Sequence, residues 1–241
     1  MGELRVLVVE GIGEVGRGQD LAGTIHDAVT AQGLVLLDGD VVVVTQKVVS
    51  KAEGAMATVD PDDPLSHKPI VEAESVRVLR RRGELVISET RHGFVCANAG
   101  VDRSNVAADE VALLPEDPDR SARRIRDGLV ARAGVEVAVV VSDTFGRPWR
   151  RGVTDVAIGS AGIRAVHDLR GTSDALGREL QVTEVAVVDE LAAAADLVMG
   201  KASGIPVAVI RGVDPGLMLR AGERSGVLSD LLRDPSEDLF R

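Results

Sequence analysis

Apolar residues along this chain fall into two kinds of run. Short unbroken blocks, such as residues 41–44 and 137–141, read as strands buried on both faces. Longer stretches with apolar residues three and four apart read as helices laid on a core. The chain opens with a strand over residues 3–9 and a glycine-rich loop, Gly11-Ile12-Gly13-Glu14-Val15-Gly16-Arg17-Gly18. Asp20 can cap a helix running to about residue 32, with Leu21, Ile25 and Val29 on one face. A turn at Asp38-Gly39-Asp40 leads into a buried strand over residues 41–45. Residues 46–54 read either as a continuation of that strand or as the start of a helix. A proline-bearing loop covers residues 59–69, followed by a helix over 71–82 and strands over 85–88 and 91–98.

A new unit begins near residues 115–118, with a helix over 120–133 and a strand over 136–141. Short strands over 153–158 and 165–169, a turn at 171–177, a long alanine-rich helix over 182–198, a strand over 205–210 and a short helix over 226–232 complete the pattern. Strands and helices alternate without the even spacing of a barrel, so the expected class is α/β of a mixed α+β kind. The expected organisation is a single domain over residues 1–241, with a weak seam near 115–118 between two subdomains.

Composition narrows the picture. Hydrophobic residues make up 45% of the 241 positions but aromatics only 2%, with no tyrosine, so the core is built from Val, Leu, Ile and Ala. The net charge of −10 argues against a nucleic-acid binder. Local basic clusters at 80–82 and 147–151 still allow a polyanionic small substrate. The single cysteine, Cys96, sits among apolar neighbours and reads as an inert thiol. The N-terminus lacks a signal-peptide pattern and no apolar stretch reaches membrane-spanning length, so a cytoplasmic protein without membrane partners is expected.

The densest chemistry is Ser142-Asp143-Thr144-Phe145-Gly146-Arg147-Pro148-Trp149-Arg150-Arg151-Gly152, at the exit of a buried strand. An acid, a hydroxyl and three arginines there suit a divalent metal held with a phosphorylated ligand. Asp102, just after Ala99-Gly100-Val101, offers a second carboxylate; Asx residues in such loops also simply make turns. Lys47 and Lys51 share a face whether the segment is helical or extended, and two cations together suit phosphate. The glycine-rich loop lies between a strand and a helix, where backbone amides can cradle phosphate, but its spacing matches neither the dinucleotide nor the P-loop pattern. Asp155, Glu184, Asp189 and Glu190 are further acids, the last two read as a solvated helix face. The four histidines show no metal-binding spacing.

Four segments together resemble a known family. They are Thr45-Gln46-Lys47-Val48-Val49-Ser50-Lys51-Ala52-Glu53-Gly54, Ala99-Gly100-Val101-Asp102-Arg103-Ser104-Asn105-Val106, Ser142-Asp143-Thr144-Phe145-Gly146-Arg147-Pro148-Trp149-Arg150 and Gly200-Lys201-Ala202-Ser203-Gly204-Ile205-Pro206-Val207. In this order they resemble the coenzyme F420-0:L-glutamate ligases. The resemblance implies a family-specific fold that is neither P-loop nor Rossmann, in an intertwined homodimer. It implies GTP-dependent addition of γ-linked glutamate to the deazaflavin precursor F420-0 or its dehydro form, with Mg or Mn and room for a monovalent cation such as K. By the same resemblance Asp102, Asp143 and Thr144 match metal ligands. Ile12, Gly13, Glu14, Val15, Gln46, Lys51, Asn105 and Lys201 match nucleotide contacts. Lys47 and Arg147 would neutralise reacting oxygens. Relatives carry a proline in the first loop, which this chain lacks. Actinobacterial members often continue into a flavin-binding reductase domain, so a stand-alone ligase or the ligase part of a longer chain is expected. On the residues alone, a metal-dependent phosphohydrolase or phosphotransferase and a non-catalytic GTP-binding module remain open.

Overall fold

A computed structural model describes residues 2–238. In chain order its elements are β1 (Arg5–Val9), α1 (Leu21–Ala31), β2 (Val41–Thr45), α2 (Gln46–Glu53), β3 (Met56–Thr58), α3 (Lys68–Glu74), β4 (Ser75–Arg82), β5 (Leu85–Thr90), β6 (Val95–Ala97), β7 (Glu110–Ala112), α4 (Pro118–Ala133), β8 (Ala138–Gly146), β9 (Val153–Ala161), β10 (His167–Asp168), β11 (Glu184–Val185), α5 (Val187–Met199) and β12 (Val207–Arg211). The class is mixed α/β, as expected.

The main sheet has the order β1-β12-β2-β8-β9. Only β2 and β8 run parallel; the other neighbours are antiparallel. Val41–Val44 and Val139–Val141 are fully buried, which is why these strands read as unbroken apolar blocks. Helices α1 and α4 pack on each other over one face, while α5 touches all five strands from the other. Gly159 on β9 permits the α4 contact, because a Cβ there would lie 2.3 Å from the Pro118 carbonyl.

A second apolar cluster, Val59, Val71, Val86, Val101 and Val111, lies apart from this core. It is enclosed by α3, by the β3-β7 pair and by the three-stranded β4-β5-β6 sheet. Its residues fall between Ala57 and Leu113, whereas Leu114 belongs to the main core.

Several boundaries differ from the periodicity. The helix expected over 71–82 is only Lys68–Glu74; the rest is β4, paired with β5 across a two-residue turn at Gly83-Glu84. Val76 and Val78 favour a strand, Gly83 takes φ +59°, and hairpin pairing outcompetes helical spacing. The alanine-rich helix starts at Val187 rather than 182, because Glu184 and Val185 pair with Asp168 and His167. That pairing also reduces the strand expected over 165–169 to two residues. The strand expected over 91–98 is three residues, Val95–Ala97. Residues 46–54 resolve as a helix, closed by Gly54 in the left-handed region at φ 73°. The strand expected over 136–141 does not end before the Ser142–Gly152 segment: β8 continues through Asp143 and Thr144 to Gly146. Asp189 is not on a solvated face; its Oδ1 accepts the Ala157 N–H at 2.9 Å, and burial pushes its carboxyl up.

Candidate functional site

The parallel pairing of β2 with β8 ends where β2 ends, with Thr45 opposite Ser142. Ligand sites in α/β sheets favour this carboxyl edge. A cavity of about 340 Å³ opens there. Its walls come from Ile12–Val15 of the glycine-rich loop, Thr45–Val48 and Lys51 of the β2–α2 junction, and Asp102 and Asn105 of the smaller unit. Ser142–Thr144 and Asp155 form the floor, and Asp196 with the segment 199–206 closes the far side. Helix α2 begins at this rim with no side-chain cap, so its first N–H groups and positive dipole end face the opening.

The helical form of residues 46–53 puts Lys47 and Lys51 one turn apart on the cavity side. Lys51 Nζ pairs with Glu14 at 2.9 Å, and Lys47 Nζ with Asp102 Oδ2 at 2.8 Å. Asp102 is anchored by backbone bonds to Ala112, and its Oδ1 accepts the Ser104 N–H at 2.7 Å. Burial pushes the Asp102 carboxyl up, but Lys47 and the Ser104 N–H outweigh it and hold the group below its usual range.

Strand alternation separates the acids of β8 and β9. Ser142 and Thr144 share one face, and both hydroxyls donate to Asp155, at 3.0 and 2.7 Å. Asp155 stands opposite Thr144 in the β8–β9 register and is 3% exposed. Lys201 reaches the same corner: Nζ lies 2.6 Å from Thr144 Oγ1 and 2.8 Å from Asp196 Oδ1, and it pairs with Asp155. Among the described residues, Asp143 accepts only the Thr144 N–H, at 2.8 Å. Burial, with the nearby charges of Asp102 and Asp155, pushes its carboxyl up to about 7.

Among the described residues no three His, Cys, Asp or Glu side chains form a ready metal cage. Asp102 and Asp143 nevertheless fit one hard divalent ion. Mg commonly takes one or two carboxylates and draws its other oxygens from phosphate and water. The raised Asp143 carboxyl, next to a second acid, is the kind of group a cation would relieve.

Every site residue expected from the sequence lines this cavity except Arg147, and the neighbouring Arg150 and Arg151 also lie outside it. Because β8 stays a strand to Gly146, Arg147 is carried onto the exposed hairpin tip, where Nη2 donates to the Arg151 carbonyl at 3.2 Å. Gln46 is buried in the cavity wall: Nε2 donates to Ser50 Oγ and the Leu113 carbonyl, and Oε1 is buried without a partner among the described residues. The cavity also includes Asp155, named from sequence only as a further acid, and Asp196, not singled out at all. The signal for Asp155 was its position on the return strand of the hairpin, opposite Thr144. Cys96 is buried, and burial pushes its thiol up to about 12. A larger, more open cleft of about 1190 Å³ lies between α1, the end of α2 and the start of α4, and none of the expected site residues lines it.

The model of the F420-0:gamma-glutamyl ligase family matches residues 11–212 of this chain. The chain belongs to that family. It is 43% identical to the coenzyme F420:L-glutamate ligase of Methanothermobacter thermautotrophicus, over 99% of each chain. It is 42% identical to the ligase of the same name from Methanopyrus kandleri, over the full length of both. Identity to the Haloarcula marismortui ligase is 40%, over 99% of this chain and 96% of the relative. Family membership gives the cavity its weight, because the four motifs meet there although the first ends at residue 54 and the last begins at residue 200. No helix among the described residues is long and apolar enough to cross a membrane.

Proposed function

We propose that this protein is a GTP- and divalent-metal-dependent ligase that joins the amine of L-glutamate to the carboxylate of F420-0 or its dehydro form, any further glutamate following through a γ-linkage. The observation that carries the reading is the convergence of both lysines, the glycine-rich loop and the Asp102–Asp143 pair on one cavity at the sheet edge. Family membership and the relatives' names support the same acceptor and amino acid.

A carboxylate does not condense with an amine in neutral water without activation. In the proposed sequence, the acceptor carboxylate oxygen attacks the γ-phosphorus of GTP, the bond to the bridging oxygen breaks, and GDP leaves. The glutamate nitrogen then attacks the acyl phosphate, releasing phosphate and a proton and forming the amide. Such phosphoryl transfer depends on positioning and charge neutralisation. Lys47, Lys51 and the first turn of α2 supply positive charge to phosphate oxygens. Asp102 and Asp143 would hold Mg or Mn, which when bound neutralises charge developing on the phosphates. Asn105, at φ +56°, stands on the rim beside them. A homodimer belongs to the same reading, and light scattering on the purified protein tests it.

The deciding experiment measures GDP release with F420-0, L-glutamate, GTP and Mn, omitting each in turn, with mass spectrometry of the deazaflavin. GDP formation that requires acceptor and glutamate, with a mass gain of one or more glutamyl units, is expected. GDP release indifferent to glutamate would favour a phosphohydrolase. Lys51→Ala should weaken GTP binding about tenfold, or ~1.4 kcal/mol, by calorimetry; an unchanged affinity removes Lys51 from the nucleotide site.

A further inference from the structure

We infer that the Lys201 ammonium is a built-in second cation of this site, so that one divalent ion per chain, at Asp102 and Asp143, is enough. The inference rests on the metal-dependent reading above. Its basis is the donor and acceptor count at one corner of the cavity. Thr144 has a single hydroxyl proton, and it goes to Asp155 Oδ1 at 2.7 Å. The hydroxyl therefore offers only lone pairs toward Lys201. Asp155 Oδ2 takes the Ser142 proton at 3.0 Å, so the carboxylate is fixed in orientation and 3% exposed. Asp196 Oδ1 adds a third oxygen. An oxygen-only set of one hydroxyl and two carboxylates suits a positive centre, and Lys201 Nζ sits on all three.

The arrangement differs from an ordinary surface ion pair. The three oxygens come from β8, β9 and α5, and Lys201 follows the α5 terminus at Gly200, so the charge is placed by the fold. Thr144 is also next to Asp143 in sequence but turned to the other face of the strand. The metal-ligand set expected by resemblance is thus divided, with Asp102 and Asp143 on one side and Thr144 bound to an ammonium on the other. Lys201 is a positioning residue here: it neutralises the Thr144–Asp155 corner without needing to touch a reacting atom.

The test counts bound Mn by electron paramagnetic resonance in the presence of GDP, for the wild type, Lys201→Gln and Lys201→Arg. One Mn per chain is expected in the wild type and in Lys201→Arg. Lys201→Gln should take a second, weaker Mn and need at least fivefold more free Mn for half-maximal GDP release. Circular dichroism checks that the variants are folded. Two Mn per wild-type chain would overturn the inference while leaving the metal-dependent reading intact, and so would a folded Lys201→Gln that still binds one. No Mn in the wild type, with GDP bound, would remove the metal reading and this inference together.

Discussion

Two lysine–aspartate pairs flank Asp143, and they are built differently. Lys47–Asp102 joins α2 to the smaller unit, with 22% and 36% of the two side chains exposed. Lys201–Asp155 joins the end of α5 to β9, and its carboxylate is buried under two hydroxyl donors. The first pair spans the boundary between two apolar clusters, and the second is part of the main sheet. Asp143 lies between them and, among the described residues, no lysine or arginine pairs with it. Charge at this site is therefore distributed by position: the outer acids are each paired, and the central one is held in a raised state by burial and by both neighbours.

The strongest way to break this comparison is Asp143→Asn. Ligation should fall on the order of a thousandfold, with the fold intact by circular dichroism, because the central charged oxygen is lost. Near-normal turnover would show that Asp143 is not a ligand. The same variant sharpens the comparison through pH in the metal-free protein. The folded carboxyl rises from 3.8 to about 7, so ionising it costs folding free energy. That stability is full below the unfolded value and is lost as pH rises through about 7. Asn does not titrate, so its stability advantage should grow from near zero at pH 4 to a plateau above pH 7. The plateau is at most roughly 4 kcal/mol by linkage. Denaturant melts at four pH values measure it; a pH-independent difference would refute the buried, raised carboxyl.

Asp155→Asn should destabilise the protein by about 2–3 kcal/mol, because two buried hydroxyls and Lys201 lose their shared charged acceptor. A change below about 0.5 kcal/mol by urea denaturation would make this corner no different from a surface pair. Lys47→Ala should cost less than about 1 kcal/mol, since its pair with Asp102 is partly exposed and screened. A cost equal to that of Asp155→Asn would erase the contrast between the two pairs.

Much of this was legible beforehand. The unbroken valine blocks located β2 and β8, because strands buried on both faces leave no polar positions to obscure the reading. The lysine spacing at 47 and 51 gave a shared face before the segment's conformation was settled. Residues 75–82 carry a helical as well as a strand spacing of apolar positions, and only pairing with β5 selects the strand. Arg147 was grouped with Asp143 by proximity in the chain, but extended backbone advances about 3.3 Å per residue and carries it away from the cavity.

By itself, the sequence determined the chemical inventory: which acids, lysines and glycines exist, that they lie at strand ends, and which family their order resembles. Local periodicity and motif spacing are encoded within a few residues, so they survive without the fold. The tertiary structure alone decided which acids share a face, that Asp155 and Asp196 meet Lys201, and that Asp102 crosses from the second cluster to face Asp143. Those facts depend on strand register and on contacts between residues 46 to 67 positions apart, such as Lys201 with Asp155 and Gln46 with Leu113, which no local pattern contains.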